Sequence, residues 1–159
     1  MQTINMYAVA NSTLGVVRDY ANAQGQNAPT FTLGSGVLLN LRLFSDYNES
    51  IPSPLDRLSG VVSWQAVFDR DFAQGTTPVL VADNANIAAH SVTDEINDSE
   101  YEFTEIQIPV PDMNTQELVS LLGDAEEYYG IHMELAGFDS HGDEAFLLQG
   151  KNFTIRNRI

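Results

Sequence analysis

The chain has no cysteine. That excludes a disulfide scaffold, a thiol nucleophile and a cysteine-ligated zinc site, and it fits a reducing compartment. Positive charge is almost as scarce. Seven Lys and Arg stand against 22 Asp and Glu, giving a formal net charge of −15, and no Lys or Arg occurs between Asp71 and Gly150. Such a surface repels phosphate backbones and anionic headgroups, so neither nucleic acid nor a membrane is expected as a partner. Long apolar runs are missing too. Stretches such as Gly36-Val37-Leu38-Leu39 fall far short of a bilayer span. Met1-Gln2-Thr3-Ile4-Asn5 has neither the basic nor the apolar region of a secretory leader, which points to a chain made in the cytoplasm. Repeats of solenoid or propeller period and low-complexity tracts are also lacking.

What is present is 159 residues with 43% hydrophobic content, enough for one domain with a core. The last thirty residues set the pattern. Ile131 to Phe138 alternates, breaks at Asp139-Ser140-His141-Gly142-Asp143, and resumes as Glu144 to Gln149. Phe153-Thr154-Ile155-Arg156 follows a Gly-Lys-Asn turn, so the ending reads as a hairpin plus a closing strand. Upstream, Val37, Leu39, Leu41 and Leu43 share one face of an extended run. Val62, Trp64, Ala66 and Phe68 share another, and Trp64, the single tryptophan, is expected in the core between layers. Thr76 to Val81, Ile87 to Val92 and Phe103 to Val110 read as further strands, the last with Ile106, Ile108 and Val110 on one side and Pro109 marking an end or an edge. Asp94 to Tyr101 reads as an exposed acidic loop, and Ser45 to Gly60, with Pro52 and Pro54, as a long surface loop.

One helix is expected. Asn114-Thr115-Gln116-Glu117 has capping-box spacing and leads into Leu118, Val119, Leu121 and Leu122 before Gly123, placing a helix over 115 to 122 with room for a second short turn from Asp124 to Tyr129. Residues 1 to 33 are rich in Asn, Gln, Ala and Thr, with Asp19 the sole acid and Arg18 the sole base. They read as a polar arm, either mobile or held by a neighbour. The fold expected is therefore mainly β: an arm over 1–33, then an antiparallel β-sandwich over 34–159, immunoglobulin-like or jelly-roll, with one short helix.

No catalytic signature emerges. Asp69-Arg70-Asp71 has the form of a metal-binding D-x-D, but no phosphate-cradling glycine loop accompanies it, and a solvated strand end is the preferred reading. Asp139 to Glu144 offers oxygens for calcium without the spacing of a helix-loop-helix site, so turn chemistry is favoured. His90, His132 and His141 share no ligand spacing and read as satisfied or exposed. There is no G-x-S-x-G elbow, and 22 acids supply too many carboxylate pairs for any one to identify a glycosidase. No metal or cofactor is implied. Tyr47, Tyr128 and Tyr129 fall in expected loops or helix ends and could stack on sugars, which makes a carbohydrate-binding module the alternative reading.

The body resembles the N-terminal β-sandwich of phage baseplate upper proteins and related tail-fibre adaptors. The residues that carry the likeness are Gly34-Ser35-Gly36 leading into Leu38 to Leu43; Pro54-Leu55-Asp56-Arg57-Leu58-Ser59-Gly60 leading into Val61 to Ala66; and the ending Gly130 to Leu135, Asp139 to Gly142, Leu147-Leu148 and Phe153-Thr154-Ile155. The segment 70 to 105, the helix at 115 to 122 and the absence of fibre repeats after Ile159 depart from that pattern. The resemblance implies a small non-enzymatic virion or prophage component, assembled in the host cytoplasm, that associates with itself and with other tail proteins. The arm and a basic tail of Lys151, Arg156 and Arg158 would be its attachment elements, the tail docking on a neighbour's acidic 94 to 105 face.

Overall fold

A computed structural model describes residues 2–9, 17–19, 30–32, 36–44, 55–69, 78, 80–96, 98–111 and 127–156. Alternation of apolar and polar residues along these segments gives ten strands: β1 (Gln2–Val9), β2 (Val17–Asp19), β3 (Thr30–Thr32), β4 (Val37–Phe44), β5 (Ser63–Asp69), β6 (Leu80–Val81), β7 (Ala88–Ile96), β8 (Ser99–Val110), β9 (Glu127–Phe138) and β10 (Glu144–Arg156). They form two five-stranded sheets, one ordered β2-β1-β4-β8-β7 and the other β3-β10-β9-β5-β6. The protein is mainly β, two sheets packed on one core.

The period-2 pattern explains that core. Ile4 and Met6 of β1, Val37, Leu39, Leu41 and Leu43 of β4, and Ile106, Ile108 and Val110 of β8 all point inward from the first sheet. Ala66 and Phe68 of β5, Ile131, Met133 and Leu135 of β9, and Phe146, Leu148, Phe153 and Ile155 of β10 meet them from the second. Phe68 and Phe153 pack edge to face, 5.6 Å between centroids. The expected strand faces at 37–43 and 106–110 are thus those observed.

Several expectations are corrected. The polar stretch at the chain's start is not an arm over residues 2–9: β1 lies between β2 and β4, pairs parallel with β4 from Gln2 opposite Val37 to Val9 opposite Phe44, and contributes Ile4 and Met6 to the core. A second parallel pair joins β3 to β10, so the sheets are not purely antiparallel. The closing strand is not separate. β10 runs unbroken from Glu144 to Arg156, and the Gly-Lys-Asn stretch is a bulge, since Gly150 opposes Met133 while Phe153 opposes Ile131. Trp64 is half-buried at the margin of the core, edge-on to Phe146 at 5.8 Å, and Val62 is exposed rather than inward. Leu55–Leu58, inside the expected surface loop, is a 3₁₀ turn whose Leu58 is buried. Glu127 to Tyr129 belong to β9 and not to a helical turn, while the helix expected over 115 to 122 lies outside the described residues.

Pro109 sits inside β8 with no loss of pairing. Its carbonyl accepts from the Asp83 amide at 2.8 Å, on the side of β8 that faces the β7 end of the sheet. A residue's N and C=O point the same way from a strand, so the missing N–H faces away from β4 and interrupts no β4–β8 bond.

A candidate interaction face

Asp94 to Tyr101 is an exposed hairpin rather than a loop. β7 and β8 stay in register from Ala88 opposite Gln107 to Ile96 opposite Ser99, and Asp98 holds the connection at φ 65°. Beyond Ala89 and Thr104 the hairpin stands clear of the core. Ser91, Thr93 and Glu95, with Glu100 and Glu102 across from them, occupy positions that would face the second sheet yet are exposed. Glu95 lies directly opposite Glu100, a like-charged cross-strand pair held in place by the ladder. Ser91 Oγ donates to Glu102 Oε1 at 2.7 Å.

The opposite, outer face of the first sheet carries a paired network. Arg42 of β4 donates through Nε to Glu105 Oε2 at 3.0 Å and through Nη1 to Asp94 Oδ2. His90 Nε2 lies 3.1 Å from Glu105 Oε1. The guanidinium lies over Phe103, 5.8 Å from its centroid, and Tyr101 meets the same ring at an edge. Phe103 is 1% and Glu105 5% exposed, although both face away from the sandwich core. Next to them Asn40 Nδ2 donates to Asn5 Oδ1 at 2.9 Å, and Asn40 Oδ1 is buried with no hydrogen-bond donor among the described residues. Asp94's carboxyl is held below its ordinary value of 3.8, first by the Glu95 amide that donates to it at 2.7 Å and then by Arg42. The carboxylates of Asp94 and Glu105 are therefore engaged within their own sheet, by Arg42, the His90 ring and the Glu95 amide.

The turn at 139–143 is built by one side chain. Asp139 Oδ1 accepts from the His141 and Asp143 amides at 2.9 and 3.0 Å, while Gly142 adopts φ 81°. That is the turn chemistry the sequence favours there. Asp69 does end β5, but it is buried, not solvated, and sits opposite His132 in the ladder. His90 is satisfied by Glu105, and His141 is exposed in the turn. Among the described residues no group of three or more His, Asp or Glu is placed to hold a metal ion.

Of the expected interaction residues, the structure brings four onto one strand pair. Lys151 and Arg156 lie in β10, and Tyr128 and Tyr129 in β9, where Tyr128 opposes Ile155 and Arg156 opposes Glu127. Lys151 and Arg156 are thus sheet residues rather than parts of a detached tail, and the two tyrosines are strand residues rather than loop residues. Tyr47 and Arg158 lie outside the described residues. Sequence reading missed the Arg42–Glu105–His90–Asp94 network, whose members are brought together only by strand pairing. In comparisons with known proteins, no family model matches the chain and no curated protein matches it.

Proposed function

We propose that the chain is a non-enzymatic assembly protein, a phage or prophage tail or baseplate component that self-associates and docks other virion proteins. The observation that supports this reading is the β7–β8 hairpin, which carries strand-ordered, exposed residues past the end of the core on both faces. An ordered ladder with no core beneath it presents surface to another molecule, and its uncompensated acids suit a basic one. The charged groups of the neighbouring outer face are tied to one another, which stiffens the base of that projection. Symmetric homo-oligomers are the general expectation for such parts. Light scattering coupled to size-exclusion chromatography, run across a concentration series, tests the reading. A mass above the 17.5 kDa monomer is the expected result. A strict monomer at the highest concentration, with no affinity for purified tail proteins encoded beside it, would sink it.

A further inference from the structure

The four strands that end a sheet are not alike. Among the described residues β2 and β3 span three residues and β6 two, edges that give a neighbour little to pair with. β7 runs nine residues, with no register shift against β8 that would turn its outer side away. It contains neither Lys nor Pro, and its two charged residues, Asp94 and Glu95, sit together at one end and leave Ala88 to Thr93 without a formal charge other than that of a protonated His90. Among the described residues no strand pairs with its outer side. Apolar surface lies close by. Leu55, 40% exposed, belongs to the 3₁₀ turn packed against β7. Val81, 44% exposed, lies in β6, which ends the other sheet on this side and runs through the turn at Asn84–Asn86 into β7.

We infer that β7 is the self-association edge, pairing antiparallel with β7 of a second copy about a two-fold axis at Val92, so that two five-stranded sheets become one continuous sheet. An isologous antiparallel pairing places residues of the same face opposite each other, which leaves only a few registers. The register that overlaps the whole of Ala88–Ile96 centres on Val92. It sets Val92 against its own copy, Ser91 against the partner's Thr93, His90 against the partner's Asp94 and Ala89 against the partner's Glu95. No two carboxylates oppose each other. Sliding the pair until Asp94 meets its copy juxtaposes like charges and shortens the overlap, so length and charge select the same register. A basic strand from another protein is the competing occupant; Glu95 would favour it, whereas Asp94 is already paired with Arg42. Each copy carries −15, so the pairing tightens with added salt, the reverse of a basic tail docking on the acidic hairpin.

This inference rests on the proposed self-association, and the test separates the two. The chain has no cysteine, so Val92→Cys introduces a single thiol at the axis. Directly opposed residues of an antiparallel pair lie within reach of a short bis-maleimide or of oxidation. Val62→Cys, at a 65% exposed site just before β5 of the other sheet, is the control. The expected results are a dimer of the native chain by light scattering, covalent dimer from Val92→Cys but not from Val62→Cys, and at least a tenfold weaker dimer for Val92→Lys with an unchanged circular dichroism spectrum. A native dimer that Val92→Cys fails to trap, or one that Val92→Lys leaves intact, overturns the β7 edge and leaves self-association standing. A native chain that stays monomeric at every concentration and salt overturns both.

Discussion

Arg42 on β4 reaches Asp94 on β7 across the intervening strand β8, its guanidinium lying over the ring of Phe103 and its Nε bonded to Glu105. One side chain thereby ties together three neighbouring strands at the base of the projecting hairpin. Arg42→Met removes a charged partner from the nearly buried Glu105, and a destabilisation of about 2 kcal/mol is expected. Urea denaturation of the single and of Arg42→Met with Glu105→Met checks this. The double substitution, which leaves no orphaned buried carboxylate, should lie closer to the native chain than Arg42→Met does.

Asp94 gives the same network a pH signature. Its carboxyl titrates below 3.8 in the folded chain, so its contribution to stability is complete above that value and is lost as pH falls through the lower, folded value. The side chain is 46% exposed, which keeps the contribution under about 1 kcal/mol. The urea midpoint of Asp94→Asn should lie below that of the native chain at pH 7 and converge on it as pH drops below 3.8. Parallel curves at all pH values would count against an ionised Asp94 acting here.

Gly137 of β9 is a site of close approach. A methyl group built there would sit 2.9 Å from Val61 Cγ1 and 3.1 Å from Trp64 Cζ3. Gly137→Ala forces both side chains to move and should destabilise by about 1–3 kcal/mol. Trp64 is the sole tryptophan, so its emission spectrum reports the displacement directly.

Gly142 makes a contrasting case. Space around it is open, but its φ of 81° is one that residues with a Cβ adopt at a cost. Gly142→Ala should lower stability by about 1 kcal/mol, and Gly142→Asn by less, since Asn tolerates this conformation. Thermal unfolding of the two variants distinguishes backbone strain from crowding.

The two sheets and the inward faces of β4 and β8 were legible because Val37 to Leu43 and Ile106 to Val110 keep an unmixed period of two, and the β9–β10 hairpin because Asp139 to Asp143 carries turn chemistry. β1 had the same signal in weaker form: Ile4 and Met6 alternate with Thr3 and Asn5, but polar composition masked two inward residues. The tip of the β7–β8 hairpin, Asp94 to Tyr101, looked like a loop because Asp94 and Ser99 on one face and Glu95 and Glu100 on the other are all exposed, so no apolar face marks the strands there. Gly150-Lys151-Asn152 looked like a turn because a bulge and a turn recruit similar residues. The paired network was out of reach. Arg42 is 63 positions from Glu105 and 52 from Asp94, and only the strand order makes them neighbours.

The parallel ladder between β1 and β4 also orders events during synthesis. β1 leaves the ribosome before β4, yet β4 is the strand it must lie beside; β4 is made more than twenty-five residues later and in turn borders β8. Ile4 and Met6 therefore wait in water, without the neighbours that later cover them, until much of the sandwich has emerged. Trimming the first nine residues would not remove a tether but would open a gap inside a sheet.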